Sequence, residues 1–448
     1  MFFSFINLWC NKNLVDTQYL LWKILEKYSK DFQYSTNPYA KETEIVFLNT
    51  CSFVSSWRDE MFETIEKLKK MKKKICIIWC WVQYFEYLTK NNNISDEETK
   101  KWDEIKQNKD ISFLSRKEVS NFTPEMLKKT ENLFCNDFVR PESARAYTNI
   151  DLWYEYLKIA EGCNNHCSFC IIPKIRGPQK SLPIETIIQE AKQLIAEWTK
   201  EIILLAQDTT RYGIDLYQAA KLFELLEKLD NLEWDFKYRV LYMYPDILTK
   251  KHLEKLTTLK KFIPYFDLPL QHSSPKILKS MWRFYNHDMT LELLNFIKNN
   301  FKEYFIRTNF IIWFPWETQE DFDHLITFIK QDYFNNIALF EYHDEKLSES
   351  SKLPDKVDEK IIRERFQITK KLVDKLLKDR ENQRKNKEFT GTISDIQPTK
   401  NGSYKITIRP SLNCPEIDNE DKVPLENIIE SYDWDELDIW CRVKYINK

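Results

Sequence analysis

Three hydrophobic patterns follow one another along the chain. Up to about residue 90, short apolar runs alternate with amphipathic stretches of helical period. Phe2–Leu8, Glu44–Asn49 and Lys74–Ile78 predict strands, while Thr17–Tyr28 and Trp57–Met71 repeat apolar residues at helical spacing. That alternation predicts an open α/β sheet with parallel strands. Residues 91–150, opening "NNNISDEETKK", lose both periods and read as a polar covering segment followed by a linker near Pro141–Asn149. The alternation returns with strands predicted at Tyr156–Glu161, Glu201–Gln207, Tyr238–Tyr244, Ile263–Leu268, Tyr304–Ile312 and Ile337–Tyr342. Between them lie helical stretches such as "IETIIQEAKQLIAE", "LYQAAKLFELLEKL" and "ETQEDFDHLITFIK". Six βα units predict a whole or partial barrel with its active groups at the C-terminal strand ends. Residues 356–388 form one long charged helix, and "FTGTISDI", "SYKITIRPS" and "DIWCRVKYI" then predict a small β-barrel.

Composition narrows this picture. The 448 residues allow several domains and a sizeable core. A net charge of −2 carries no nucleic-acid or membrane signal. Mean hydropathy is −0.55, and no apolar run approaches the ~18 residues of a spanning helix. The start "MFFSFINLWCNKN" lacks a basic leader segment and reads as a first strand, so a soluble, cytoplasmic protein is expected; a monomer is expected as well. In such a chain ten cysteines point to metal or catalysis rather than disulfides. There are 5 glycines against 14 tryptophans. Ordinary usage would give roughly 30 glycines, and an α/β chain needs them in turns.

The cysteines cluster in two ways. "EGCNNHCSFCIIPKIRGPQ" places Cys163, Cys167 and Cys170 as C-x3-C-x2-C just after the first predicted barrel strand. Three thiolates on one loop can hold three irons of a [4Fe–4S] cluster and leave the fourth open. A structural zinc site, with His166 as the fourth ligand, is the alternative. Cys10, Cys51 and Cys80 each follow one of the three predicted N-terminal strands. Ligands bind at the carboxyl ends of strands in open α/β sheets, so these three are expected to converge on a second cluster.

The first spacing, with Phe169 before the last cysteine, resembles the radical S-adenosylmethionine (SAM) superfamily. Together with the N-terminal cysteine domain and the terminal β-module, the chain resembles the methylthiotransferases over nearly its whole length. The resemblance implies two [4Fe–4S] clusters, with SAM bound to the open iron at Cys163, Cys167 and Cys170 and cleaved there to a 5′-deoxyadenosyl radical. It implies that the N-terminal cluster holds the sulfur that is methylated and inserted, and that the C-terminal module is a TRAM domain. The expected fold is thus α/β: a cluster domain over 1–120, a linker over 121–148, a partial (β/α)6 radical SAM barrel over 149–382 and a small β-barrel over 383–448. One branch of the family modifies tRNA adenosine, the other an aspartate of ribosomal protein S-twelve. "CNKNLVD", "LLAQDTTRYGIDL", "YFDLPLQHSS", "IRTNFII" and "CPEID" are similar to the second branch. Expected partners are that protein or the small ribosomal subunit, and an electron donor such as flavodoxin or ferredoxin. A tRNA enzyme and a non-catalytic zinc- or RNA-binding protein are the alternatives.

Other positions carry weaker expectations. Gln207, Asp208 and Arg211 follow the second barrel strand and are candidates to meet SAM or substrate. Arg239 and Arg307 lie in barrel strands, where an arginine needs a carboxylate: that of SAM or an internal one. His272 ends the strand "DLPLQ" and lines either the barrel mouth or the core. Cys76, Cys135, Cys414 and Cys441 lack a partner pattern and are expected to be structural. "KLKKMKKK" is expected to be a solvated helix end. Against the family pattern, Trp9, Trp79, Trp198, Trp313 and Trp316 sit where glycine is usual, and Trp57 and Trp282 are further candidates. "IIWFPWET" matches the loop "GFPGET" that the family keeps against SAM, which makes positions 313 and 316 cofactor-binding. These tryptophans are expected to be UGA codons of a genome that reads UGA as glycine; genuine tryptophan at all sites is the alternative and leaves the glycine deficit to be explained.

Overall fold

The computed structural model describes residues 1–8, 11–53, 55–90, 96–115, 119, 122–128, 146, 153–354, 356, 358–399, 402–432 and 442–448. The chain forms two compact units. The first comprises Met1–Thr148, Ala160–Lys180 and His343–Leu353, and the second Asn149–Ile159, Ser181–Tyr342 and Pro354–Lys448.

The first unit is built on a parallel sheet of β1 (Phe2–Asn7), β2 (Gln33–Tyr34), β3 (Thr43–Thr50), β4 (Lys74–Trp79) and β5 (Ile111–Leu114), in the order β2-β1-β3-β4-β5. Period-two alternation divides its side chains between two cores. Val46, Leu48, Ile75 and Ile77 face one, while Phe3, Ile45, Phe47, Cys76 and Ile78 face the other. Helix α1 (Asn11–Tyr28) starts before the predicted Thr17, because Asn13, Asp16 and Gln18 in its first turns are polar yet buried and so mask the apolar period. Helices α2 (Ser55–Lys70) and α3 (Cys80–Lys90) follow β3 and β4.

The covering segment predicted after residue 91 needs correction. It contains α4 (Asp96–Gln107) and β5, the fifth strand of the sheet. Two apolar residues, Trp102 and Ile105, suffice to pin a helix that is otherwise charged; Trp102 stacks on Phe85 with ring centroids 5.0 Å apart. The predicted linker Pro141–Asn149 lies outside the described residues apart from Ala146. The lysine run is only partly solvated. Lys67, Lys69 and Lys70 sit in the last turn of α2, but Lys73 is buried and its Nζ donates to Ala40 O at 2.6 Å and Thr43 O at 2.5 Å.

The second unit carries the six predicted strands as one parallel sheet. They are β6 (Tyr154–Lys158), β9 (Glu201–Leu205), β10 (Lys237–Val240), β11 (Phe262–Gln271), β12 (Phe305–Ile312) and β13 (Asn336–Glu341). The two-residue strands β7 (Ala160–Glu161) and β8 (Lys180–Ser181) fall between β6 and β9 in the chain. The sheet order β13-β12-β11-β10-β9-β6 follows the chain, and its first and last strands do not pair, so this is an open, partial barrel. Helices such as α6 (Ile184–Ala196), α7 (Leu222–Asp230), α8 (Lys250–Thr258), α9 (His287–Asn300) and α10 (Gln319–Lys330) connect the strands, and the short α5 (Ile172–Arg176) lies in the first unit. Helix α6 buries Ile184, Ile187, Ala191 and Leu194, the single stripe that its 3.6-residue period puts on one face. The long α11 (Glu359–Arg384) leads to β14 (Glu388–Pro398), β15 (Tyr404–Pro410), β16 (Asp421–Pro424), β17 (Ile428–Tyr432) and β18 (Arg442–Ile446), a small antiparallel sheet.

That small sheet clusters with the barrel rather than standing alone. Arg239 of β10 donates from Nε to Glu201 at 2.6 Å, and from its two terminal nitrogens to Leu412 O at 2.8 Å and Ser411 O at 3.2 Å. Arg409 of β15 donates to the other oxygen of Glu201 at 2.8 Å. Burial alone would raise the Glu201 pKa, yet the two arginines hold it below the ordinary glutamate value.

Candidate active site

Sheet register places the N-terminal cysteines. Thr50 and Trp79 are paired across β3 and β4, so the residues that follow, Cys51 and Cys80, leave neighbouring strands at one level. β1 is the next strand over, and the residues after it lead toward Cys10, which with Trp9 lies outside the described residues. Side chains fix these turns. Asn13 Nδ2 donates to Thr50 O at 2.9 Å, Asn49 Nδ2 to Asn13 O at 2.7 Å, and Trp81 N to Thr50 Oγ1 at 3.2 Å. Cys80 is the first residue of α3, where the helix dipole favours a thiolate.

The second cysteine loop belongs to the same unit. It begins at Gly162, at φ +78°, where a Cβ would come within 2.2 Å of Pro178 O; no larger residue fits. Cys163 N donates to Gly177 O at 3.1 Å, Gln179 N to Asn164 Oδ1 at 3.0 Å, and Cys170 N to Cys167 O at 3.0 Å. Cys163 is buried, while Cys167 and Cys170 are partly exposed. Asn165 N lies 3.4 Å from Cys163 Sγ, an N–H directed at a sulfur as iron–sulfur sites use. Among the described residues no three Cys, His, Asp or Glu side chains close on a single metal ion. A four-iron cluster asks for something else, since each thiolate binds a different iron and the ligand triangle is correspondingly wider. Soft sulfur donors on one glycine-started loop, with backbone N–H turned to sulfur, fit such a cluster.

Sequence reasoning missed the group that touches Cys80 and, through Glu161, the start of the Cys163 loop. Arg176, at the end of α5, is buried and donates from Nε to Cys80 Sγ at 3.0 Å. Its Nη1 meets Asp16 at 3.3 Å and both oxygens of Glu161 at 3.2 Å, and its Nη2 donates to Asn13. The signal was available in "IIPKIRGPQ": a charge closely following a three-cysteine loop and set beside apolar residues.

In the second unit, Asp208 is buried and builds its own loop. Its Oδ1 accepts from Thr210 N at 3.0 Å and Thr210 Oγ1 at 2.6 Å, and its Oδ2 lies 3.3 Å from Arg211 Nε. Arg211 also pairs with Asp246. Gln207 directly precedes this turn and is half-buried. Arg239, a candidate to meet SAM, is instead held in the internal pair with Glu201, because that carboxylate lies at the start of the adjacent strand. Arg307 likewise pairs with Asp267 at 2.8 Å.

The loop after β12 is tied down by a buried carboxylate. Trp313 N donates to Glu317 Oε2 at 2.7 Å, and Arg365 of α11 donates to Glu317 Oε1 at 2.8 Å. His272 is buried beside them. Its Nδ1 accepts from Ser274 N at 2.9 Å, so the neutral ring carries its proton on Nε2, 3.6 Å from Glu317 Oε2. Trp313 is buried and Trp316 partly exposed, with φ of 74° and 70°.

These features coincide with those of known proteins. The Radical SAM superfamily profile matches residues 157–329, and that of Uncharacterized protein family UPF0004 matches residues 3–97. The protein named ribosomal protein uS12 methylthiotransferase RimO is 33% identical in Pseudothermotoga lettingae over 92% of this chain and 90% of its own. Its Dictyoglomus thermophilum counterpart is 34% identical over 94% and 92%, and that of Carboxydothermus hydrogenoformans 35% identical over 82% and 81%. With a glycine-started three-cysteine loop, a partial parallel barrel and identity running through nearly the whole length, the chain belongs to the RimO family of radical SAM methylthiotransferases.

Proposed function

We propose that the chain inserts a methylthio group at the β-carbon of an aspartate in ribosomal protein uS12, using two [4Fe–4S] clusters and SAM. The carrying observation is identity above 30% to the uS12 methylthiotransferases over more than nine-tenths of the chain. Cys163, Cys167 and Cys170 would hold one cluster, and Cys10, Cys51 and Cys80 the other. When bound, the first cluster and SAM supply the radical that an unactivated C–H bond demands, since such a bond has no useful acidity for a general base. The chain's own part is geometric. Gly162 lets the cysteine loop turn back on Pro178 and Gly177, and the Asn165 N–H moderates charge on Cys163. Asp208 rigidifies the turn that presents Gln207, and Glu317 holds the backbone of the loop at positions 313 and 316, both assigned here to SAM. No helix of the described residues is long and apolar enough to cross a membrane, and the electron is assigned to a flavodoxin- or ferredoxin-type donor.

The test is anaerobic incubation of reconstituted protein with SAM, reductant and either uS12-containing small subunits or tRNA. A methylthio mass increment on the aspartate of uS12 is expected. An increment on tRNA alone refutes the substrate assignment, and colourless zinc-loaded protein refutes the chemistry.

A further inference from the structure

We infer that Arg176 is a positioning residue for the N-terminal cluster, which couples the Cys163 loop to Cys80 and sets the redox character of what Cys80 binds. The inference rests on the reading of Cys80 as a cluster ligand. A continuous path of contacts carries it, all within the first unit. Gly162 N, one residue before Cys163, donates to Glu161 Oε1 at 3.2 Å; Glu161 takes both contacts from Arg176 Nη1; and Arg176 Nε points at Cys80 Sγ at 3.0 Å. Every guanidinium nitrogen is engaged, so the planar fork has one orientation. On its other side Asn13, which receives Nη2, is bound to the backbone of Thr50, the residue before Cys51. One side chain therefore fixes the loop of one cysteine set against the strand ends of the other.

The electrostatics give it a second role. Asp16 and Glu161 place two carboxylates on one guanidinium, all three buried. An N–H directed at a ligand sulfur stabilises the reduced, more negative form of an iron–sulfur cluster and raises its potential. A purely structural arginine, there only to neutralise Asp16 and Glu161, would leave the potential alone.

The experiment uses the full chain with Cys163, Cys167 and Cys170 changed to Ala, which leaves only the N-terminal set to bind iron. Iron content and an EPR-monitored redox titration are compared with and without Arg176→Lys. The expected result is retained iron and at least a tenfold drop in the reduced-to-oxidised ratio at fixed potential, equivalent to 59 mV for one electron. Asp16→Asn, which removes a competitor for the guanidinium, is expected to shift the ratio the opposite way and serves if the lysine variant does not fold. An unchanged ratio in both variants overturns the role of Arg176. Absence of iron from the triple-alanine parent overturns the cluster reading beneath it, a distinct outcome.

A separate observation carries a second proposal. Among the described residues, thirteen that are not glycine take a positive φ, and six of them are tryptophan: Trp79, Trp153, Trp198, Trp282, Trp313 and Trp316, at 55–76°. For a bulky side chain that region is a genuine outlier, whereas four of the five glycines occupy it. The side chains do not repay the strain. Trp198 is 68% exposed and Trp282 45%, and the indole N–H of Trp313 is buried with no hydrogen-bond partner among the described residues. We infer that the native chain carries glycine at these six positions. Trp153 was not expected from the sequence, and Trp57 leaves the set because it lies inside α2. Mass spectrometry of the protein from its own cells decides the matter. The tryptic peptide Thr308–Lys330 is expected with glycine at 313 and 316, and intact tryptophan at both overturns the proposal.

Discussion

At the scale of single residues, backbone conformation is the sharpest discriminator. A left-handed φ costs a residue with a Cβ roughly 1–2 kcal/mol. Trp198 pays that cost at φ 69° while leaving most of its ring in solvent. In the recombinant chain as translated with tryptophan, Trp198→Gly is therefore expected to raise stability by about 1 kcal/mol, read by urea denaturation. Trp57→Gly, inside α2, is expected to lower it by a similar amount, since glycine disfavours a helix interior. The sequence exposed the first class through the glycine deficit; it could not separate Trp57 from the others, because only φ does so.

Two predictions belong to elements. The loop after β12 and helix α11 meet through Glu317 and Arg365, both buried. Glu317→Ala leaves Arg365 without its ion-pair partner and Trp313 N without its acceptor. A loss of about 3–5 kcal/mol follows from breaking a buried pair, together with a higher Kd for SAM by calorimetry. Glu201 gives the pH dependence. Its folded pKa lies below the ordinary value of 4.5, so it contributes stability above that pH. The contribution is lost as pH falls through the lower folded value. Stability should drop below about pH 4.5, and Glu201→Gln should flatten this part of the profile while destabilising the protein at pH 7. Thermal melts across pH check both.

For the whole molecule, the two units cut across the expected modules. Residues 160–180 and 343–353 join the N-terminal unit, and the C-terminal sheet joins the barrel. Truncation after Lys385 is therefore expected to lower the Tm of the remainder, because it removes Arg409 and the carbonyls of Ser411 and Leu412 from the buried Glu201–Arg239 pair. A C-terminal module independent of the barrel would leave the Tm unchanged. Reconstituted protein should hold about eight irons per chain, and changing Cys163, Cys167 and Cys170 to Ala should remove about half.

Element types, the family and the two sets of candidate ligand cysteines were legible in the sequence. Hydrophobic period is local, and C-x3-C-x2-C needs no neighbours to be recognised. Sequence reasoning missed α4 and β5, where two apolar residues anchor a charged helix, and the start of α1, where buried polar residues hide the period. What the charged groups do was set by contacts that folding alone brings together. Arg239 and Arg176 look alike in sequence, each a cation among apolar residues. One serves an internal carboxylate and the other reaches the Cys80 sulfur, because a guanidinium's role is set by what lies within about 3 Å of it. Those partners, Glu201 and Cys80, stand 38 and 96 residues away along the chain.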